Sequence, residues 1–237
     1  IAKYTAQLNE DGLVKAIQVF RDQIEHQELS HLKAFFQSIL AEAYSNYLQS
    51  NWWQLRERSN IMDFIPSDMQ TWSAKNLLDE IAALYLSSVE DPNLKNQKII
   101  DFDAVLSKGY TGAELRPSLF DFLIHRAIDY FQNERSYLNK PQSTFVFNQE
   151  IAFAKADDFI QWEIPSTDTT DSKYRMLVLF QKVMKENKER GTKASALNVG
   201  LKRLKFVHTN ITSNLKDQWY ETALNELIKA NAGTTLE

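Results

Sequence analysis

The chain has 237 residues, of which 43% are hydrophobic, enough for one large core or two small ones. Its 27 basic and 31 acidic residues give a net charge of -4 without a basic stripe, which argues against a nucleic acid partner. Because cysteine is absent, disulfides, thiolate zinc sites and cysteine nucleophiles are excluded, while the cellular compartment stays open.

Glycine and proline are scarce, at six and five residues, which is too few for the turns of a β-sandwich or barrel. We therefore predict an all-α fold. No apolar run approaches the roughly 20 residues that span a bilayer, so we predict a soluble chain that does not itself insert into a membrane. The chain begins without Met, lacks an export signal in residues 1–10 and ends in Leu236-Glu237, a pair common at tag junctions. We expect it to be a piece of a longer protein.

Apolar residues recur at spacings of three and four through the first half of the chain, as in amphipathic helices. The predicted helices span residues 12–27, 30–50, 73–88 and, more briefly, 99–106, with 51–64 continuing the second helix as far as a break at 65–68. Ser30 and Ser73 are the predicted N-caps, since their hydroxyls can accept hydrogen bonds from the first turn.

The most apolar segment, residues 118–131, follows Arg116-Pro117, which places Pro117 in the first turn of a helix. Its apolar side chains surround nearly the whole axis, so we predict a central, buried helix. Residues 136–171 carry the weakest pattern and predict an irregular or extended connection near 140–165, with an extended piece at 144–147. Helices are predicted again at 172–189, 194–209 and 216–230, the first two separated by Gly191.

These elements predict stacked antiparallel helices or helical hairpins. A solenoid-like arrangement stays open, because the sequence has no fixed internal period. We predict an N-terminal helical subdomain at 1–135, an irregular connection at 136–171 and C-terminal hairpins at 172–237, with one continuous domain as the alternative.

No catalytic, cofactor or metal motif is present, so we predict no enzyme activity and no cofactor. The sharpest constellation is Asp121, His125 and Asp129, which lie four apart along one line of the central helix. Metal binding or acid–base chemistry is one interpretation of this line. We favour ion pairing on the helix surface, with Arg126 or with a neighbouring helix.

The richest aromatic and cationic cluster is formed by Trp52, Trp53, Arg56 and Arg58, residue types common in interface hot spots and sugar-stacking platforms. Adjacent helical residues point roughly 100° apart, so both tryptophans cannot bury against one core face. These four residues are therefore a candidate interaction surface. The interpretation that we favour over it is that at least one of the two tryptophans packs against the rest of the protein.

An ordered series of four segments carries a family resemblance. The series is Ala41-Glu42-Ala43-Tyr44, residues 51–59, Asp68-Met69-Gln70-Thr71-Trp72 and Arg116-Pro117-Ser118-Leu119-Phe120-Asp121-Phe122-Leu123-Ile124-His125-Arg126-Ala127. It resembles the N-terminal helical region of the large alpha-2-macroglobulin family proteins of Bacteroidetes. In the last block the family tends to have Arg-Pro-Thr-Leu-Tyr-Asp-Phe-Leu-Ala-His-Arg-Ala, so Ser118, Phe120 and Ile124 are departures of similar size and polarity.

The resemblance implies a much longer parent protein, exported to the periplasm or cell envelope and tethered by an N-terminal lipid. The family traps proteases through a cleaved bait segment and, in many members, a cysteine thioester, which this cysteine-free segment cannot supply. We therefore expect a non-catalytic scaffold or interaction domain. Its implied partners are the other domains of the same polypeptide and, through the full-length protein, proteases.

Two alternatives stay open. One is a helical-repeat module of the cell envelope that binds peptides or glycans, with the paired tryptophans as its platform. The other is an enzyme, which would require the line of Asp121, His125 and Asp129 to open into a cleft.

Overall fold

The computed structural model describes residues 12–58, 69–106, 112–133, 145–166 and 168–233. Its α-helices are α1 (Gly12–His26), α2 (Ser30–Ser50), α3 (Trp52–Leu55), α4 (Ala74–Ser87), α5 (Leu119–Asn133), α6 (Ala156–Gln161), α7 (Ser172–Arg190), α8 (Lys193–Asn210) and α9 (Lys216–Asn231). Short 3-10 helices lie at Met69–Thr71, Pro92–Asn96, Ile99–Phe102 and Glu150–Phe153. In these ranges the only β pairing is one isolated bridge, Lys98 with Ser118. The predicted all-α fold is confirmed.

The packing of the chain forms two compact units. Among the described residues, the first unit takes those up to Asp101 together with Ser118–Ala127, and the second takes Phe102–Pro117 and those from Ile128 onward. This grouping differs from the predicted division at residues 135 and 171. Helix α5 contributes residues to both units, and the described residues of the predicted connection belong to the second unit.

The first unit is built where α2 packs against α1 and α4. Its core side chains are almost fully buried, among them Ile17, Tyr44, Leu77 and Ile81. Burial of this size is the main favourable term in folding, at roughly 1.5–3 kcal/mol for each large apolar side chain.

One of the two predicted N-caps is confirmed. The Ser73 hydroxyl accepts the backbone N–H of Asn76, and the Asn76 side chain accepts the N–H of Ser73 in return. Ser30, however, is the first residue of α2 and not its cap. Leu29 occupies the cap position, where its side chain can accept no hydrogen bond, and its own N–H donates to the Gln27 side chain at 3.0 Å.

Helix α5 is largely covered, as its sequence predicts, and from Leu119 to Phe131 only Phe122, Arg126, Asp129 and Tyr130 are partly exposed. Its start differs from the prediction. The Ser118 hydroxyl accepts the N–H of Asp121, and the Asp121 carboxylate accepts the Ser118 N–H at 3.0 Å. This reciprocal cap satisfies two backbone donors, so Pro117 precedes the cap and does not lie in the first turn.

The second unit contains α7, α8 and α9, and the three helices begin and end within one or two residues of the prediction. Gly191 ends α7 in the left-handed conformation, with φ of 67°, so only two residues separate α7 from α8, and the two helices pack together. Phe180 and Val207 lie in this core with no exposed surface.

The predicted irregular connection is more ordered than its pattern indicates. Phe145 and Phe147 are buried while Val146 is 61% exposed, an alternation that fits the predicted extended piece. The 3-10 helix Glu150–Phe153 and helix α6 then follow, and Phe159 of α6 has no exposed surface. Both elements are too short for a helical period to be visible in the sequence.

Two further predicted helices are shorter in the structure. The region 51–64 begins with the single turn α3, and its residues after 58 lie outside the described residues. The region 99–106 holds the 3-10 helix Ile99–Phe102 followed by turns. Within the described ranges, none of the helices combines the length and apolar character needed to cross a bilayer.

Candidate functional site

The predicted cluster of Trp52, Trp53, Arg56 and Arg58 divides between the surface and the interior. Trp53 is 71% exposed, and the Arg56 guanidinium carbon lies 4.4 Å from its ring centroid. Trp52 and Arg58 are half-buried, and Arg58 donates to the backbone carbonyl of Trp72 at 3.1 Å. The two tryptophans therefore do not form one platform, and Trp53 with Arg56 is the outward part of the cluster.

Most of the family-like block in α5 is buried. Its residues with at most 5% exposure are Ser118, Leu119, Phe120, Asp121, Leu123, Ile124, His125 and Ala127, while Arg116, Pro117, Phe122 and Arg126 are partly exposed. The block therefore supplies packing and capping.

Arg126 joins α5 to α2. Its guanidinium donates to the hydroxyl of Ser38 at 2.8 Å, to the Ser38 carbonyl at 3.1 Å and to the Glu42 carboxylate at 2.8 Å. It also lies over the Phe122 ring, 5.6 Å from the centroid. Arginine suits this position because its planar fork offers several donors in a fixed geometry.

The line of Asp121, His125 and Asp129 is not a surface feature at its first two members. Asp121 and His125 have no exposed surface, and the Asp121 carboxylate accepts the Ser118 hydroxyl at 2.7 Å in the helix cap. The predicted surface ion pairing is therefore wrong for Asp121. It holds for Asp129, which lies 3.4 Å from the Lys202 amine of α8. Among the described residues, no group of three or more His, Asp or Glu side chains is placed to hold a metal ion.

A charged cluster lies within the first unit, formed by Arg21 of α1, Tyr44 of α2 and Glu80 of α4. Burial raises the pKa of Tyr44 to about 12, although the hydrogen-bonded Arg21 opposes this. Burial also raises the pKa of Glu80 above its usual value, and the positive charge of Arg21 offsets only part of that effect. The ionised form of Glu80 is therefore disfavoured in the folded protein.

We expect Glu80→Gln to alter how stability depends on pH. In the folded state Glu80 holds its proton to a higher pH than in the unfolded state, so unfolding free energy falls as pH rises through the raised pKa. The Glu80→Gln variant has no carboxyl group to ionise at this position, so its unfolding free energy should not fall for this reason. Urea titrations from pH 4 to pH 8 should show the variant gaining stability relative to the parent as pH rises. Asp79→Asn, at an exposed neighbour paired with Lys75, is the control and should change stability by less than about 0.5 kcal/mol. If the stability of the parent instead increased relative to that of Glu80→Gln as pH rises, burial would not raise the pKa of Glu80.

The second unit contains a cleft with a volume of about 400 Å³, beside α9. Its lining residues are Glu150, Ile151, Phe153, Ala154, Asp158, Trp219, Thr222, Ala223 and Glu226. The set combines apolar and aromatic side chains with three carboxylates and no basic side chain. Sequence reasoning missed this site, because its residues come from three separate stretches and none of them belongs to a motif.

Arg203 of α8 fixes the backbone beside this cleft. It is 4% exposed, and its two terminal nitrogens donate to the carbonyls of Ala152 at 3.1 Å and Ala154 at 2.8 Å. Its guanidinium carbon lies 4.4 Å from the ring centroid of Phe159. Burial lowers the pKa of Arg203 to about 10, so the side chain remains charged at neutral pH.

Comparison with protein-family models, with curated proteins and with solved structures found no match to this chain. The resemblance to alpha-2-macroglobulin family proteins therefore rests on the residue series alone.

Proposed function

We propose that this chain is a non-catalytic helical scaffold or interaction domain of a large bacterial alpha-2-macroglobulin-like protein that traps proteases. The parent would lie in the periplasm or cell envelope of a Bacteroidetes species. Its bait segment and any thioester would belong to other domains, which this domain would contact.

The single observation that carries the proposal is that residues from all four segments of the family-like series touch one another. Arg126 of the last segment pairs with Glu42 of the first at 2.8 Å. Tyr44 of the first segment lies against Trp72 of the third, with ring centroids 5.6 Å apart. Arg58 of the second segment donates to the Trp72 carbonyl. A series scattered over more than 80 residues is thus one connected network of contacts, part buried and part at the surface, as expected of a signature that specifies a domain.

The chemistry of the series also supports a scaffold. Three of its charged members make contacts within the first unit: Asp121 in the helix cap, Arg126 with Ser38 and Glu42, and Arg58 with a backbone carbonyl. Catalytic groups, in contrast, must reach substrate, and functional sites are typically found in clefts.

The second candidate function is a peptide- or glycan-binding module of the cell envelope. The observation that favours it is the aromatic and acidic cleft of the second unit, together with the exposed Trp53.

The experiment that separates the two is to determine the reading frame that encodes this chain and its flanks. The scaffold proposal expects the frame to continue into macroglobulin β-sandwich domains.

A further inference from the structure

We propose that the cleft beside α9 is a docking groove for a peptide segment of a partner protein that carries lysine or arginine next to an apolar side chain. This inference goes beyond the scaffold role and does not depend on membership of the macroglobulin family. It concerns the second unit alone.

The wall and floor of the groove are apolar. Ile151 and Phe153 of the 3-10 helix face the groove with Trp219 and Ala223 of α9, and the Phe153 and Trp219 ring centroids are 6.4 Å apart. Arg203 holds the carbonyls of Ala152 and Ala154 on either side of Phe153, so this wall is fixed from beneath. A preformed wall lowers the entropic cost of binding a partner.

Carboxylates give the groove its charge. Glu150, Asp158 and Glu226 line it, and two cations lie close by: the Lys155 amine, 3.8 Å from Glu226, and the buried Arg203 guanidinium behind the wall. Lys155 and Glu226 are 71% and 49% exposed, so their pairing is weak and easily displaced, and Arg203 donates to two backbone carbonyls. The three carboxylates outnumber these cations, so the groove favours a cationic occupant, and the Trp219 ring face can stabilise that cation.

Helix α9 turns a partly apolar face to the groove. It has no fully buried residue, and Trp219 and Ala223 on its groove face remain accessible. A partner segment seated in the groove can bury part of these two side chains, which explains why the occupant needs an apolar side chain besides its charge. The three carboxylates are not grouped closely enough for a metal ion.

The test uses an eight-residue peptide, blocked at both ends, with three lysines and one leucine in an alanine background. Isothermal titration at low salt should show saturable binding to the parent chain, and raising the salt should weaken it. The same peptide with glutamate in place of lysine should not bind.

Matched variants locate the binding. Glu150→Gln combined with Glu226→Gln should weaken binding about tenfold, since it removes two of the three carboxylates in the groove. Asp157→Asn, on α6 but outside the groove, should leave affinity unchanged. Circular dichroism and melting temperature should match the parent for all variants.

Three results would overturn the inference: no saturable binding of the lysine peptide, equal affinity in the double variant, or equal binding of the glutamate peptide. Binding of a neutral oligosaccharide such as maltoheptaose in place of the peptide would also overturn it and would favour a glycan site. None of these results bears on the reading frame that tests the scaffold proposal.

Discussion

Leu123→Ala should lower the free energy of unfolding by about 2 to 5 kcal/mol, the range observed when a buried leucine is truncated and the cavity only partly collapses. Leu123 has no exposed surface, and its helix neighbours Leu119, Ile124 and Ala127 have none either. The site has little freedom to collapse. Urea denaturation followed by circular dichroism measures the effect.

Two variants serve as comparisons for Leu123→Ala. Phe122→Ala in the same helix should cost less than a buried phenylalanine normally does, because Phe122 is only half-buried, beneath Arg126. Lys229→Ala, at an exposed residue, should stay within about 0.5 kcal/mol of the parent. If Leu123→Ala denatured like Lys229→Ala, α5 would not be a core element, and the weight given to its family-like block would be lost.

Arg203→Ala should cost roughly 3 kcal/mol or more. The substitution removes two charge-assisted hydrogen bonds, each of about 1.5–3 kcal/mol, and leaves the carbonyls of Ala152 and Ala154 without their partner. It also removes the guanidinium from the face of Phe159 and opens a cavity in a buried position. Urea denaturation followed by tryptophan fluorescence measures the loss, because Trp162 and Trp219 lie in this unit.

Variants at and near Arg203 separate packing from hydrogen bonding. Arg203→Met keeps much of the side-chain volume but neither hydrogen bond, so its loss should be smaller than that of Arg203→Ala and still clearly measurable. Lys205→Ala, at an exposed residue of the same helix, is the control and should be nearly neutral. An Arg203→Ala variant as stable as the control would show that the guanidinium does not hold the 3-10 segment.

The long helices could be predicted from the sequence because their apolar residues repeat over several turns. Helices α7, α8 and α9 show this. The cap at Ser73 could also be predicted, because serine is a preferred N-cap residue. The cap of α2 could not be predicted, because Leu29 has no side-chain acceptor and nothing in its identity marks a helix start.

The sequence around Asp121 contains two patterns that predict different roles for this residue. Ser118 and Asp121 have the spacing of a reciprocal cap, but the four-residue spacing of Asp121, His125 and Asp129 favoured a charged helix face. Charge spacing along one helix does not reveal which side faces the core. Burial decides this, and burial of α5 depends on helices distant in sequence.

The cleft of the second unit was beyond sequence reasoning for a related reason. Glu150, Asp158 and Glu226 are ordinary surface residues in the sequence, and the chain brings them together only by folding. The irregular pattern between 145 and 166 also concealed the short helices that form one wall.

Sequencing the gene on both sides of this chain tests whether the chain belongs to a macroglobulin-like parent. We expect one continuous reading frame that extends well beyond the codon for Glu237, encodes macroglobulin β-sandwich domains downstream and carries a lipid-anchored export signal upstream. A stop codon soon after Glu237, with no such domains in the frame, would contradict the assignment to a protease-trapping protein.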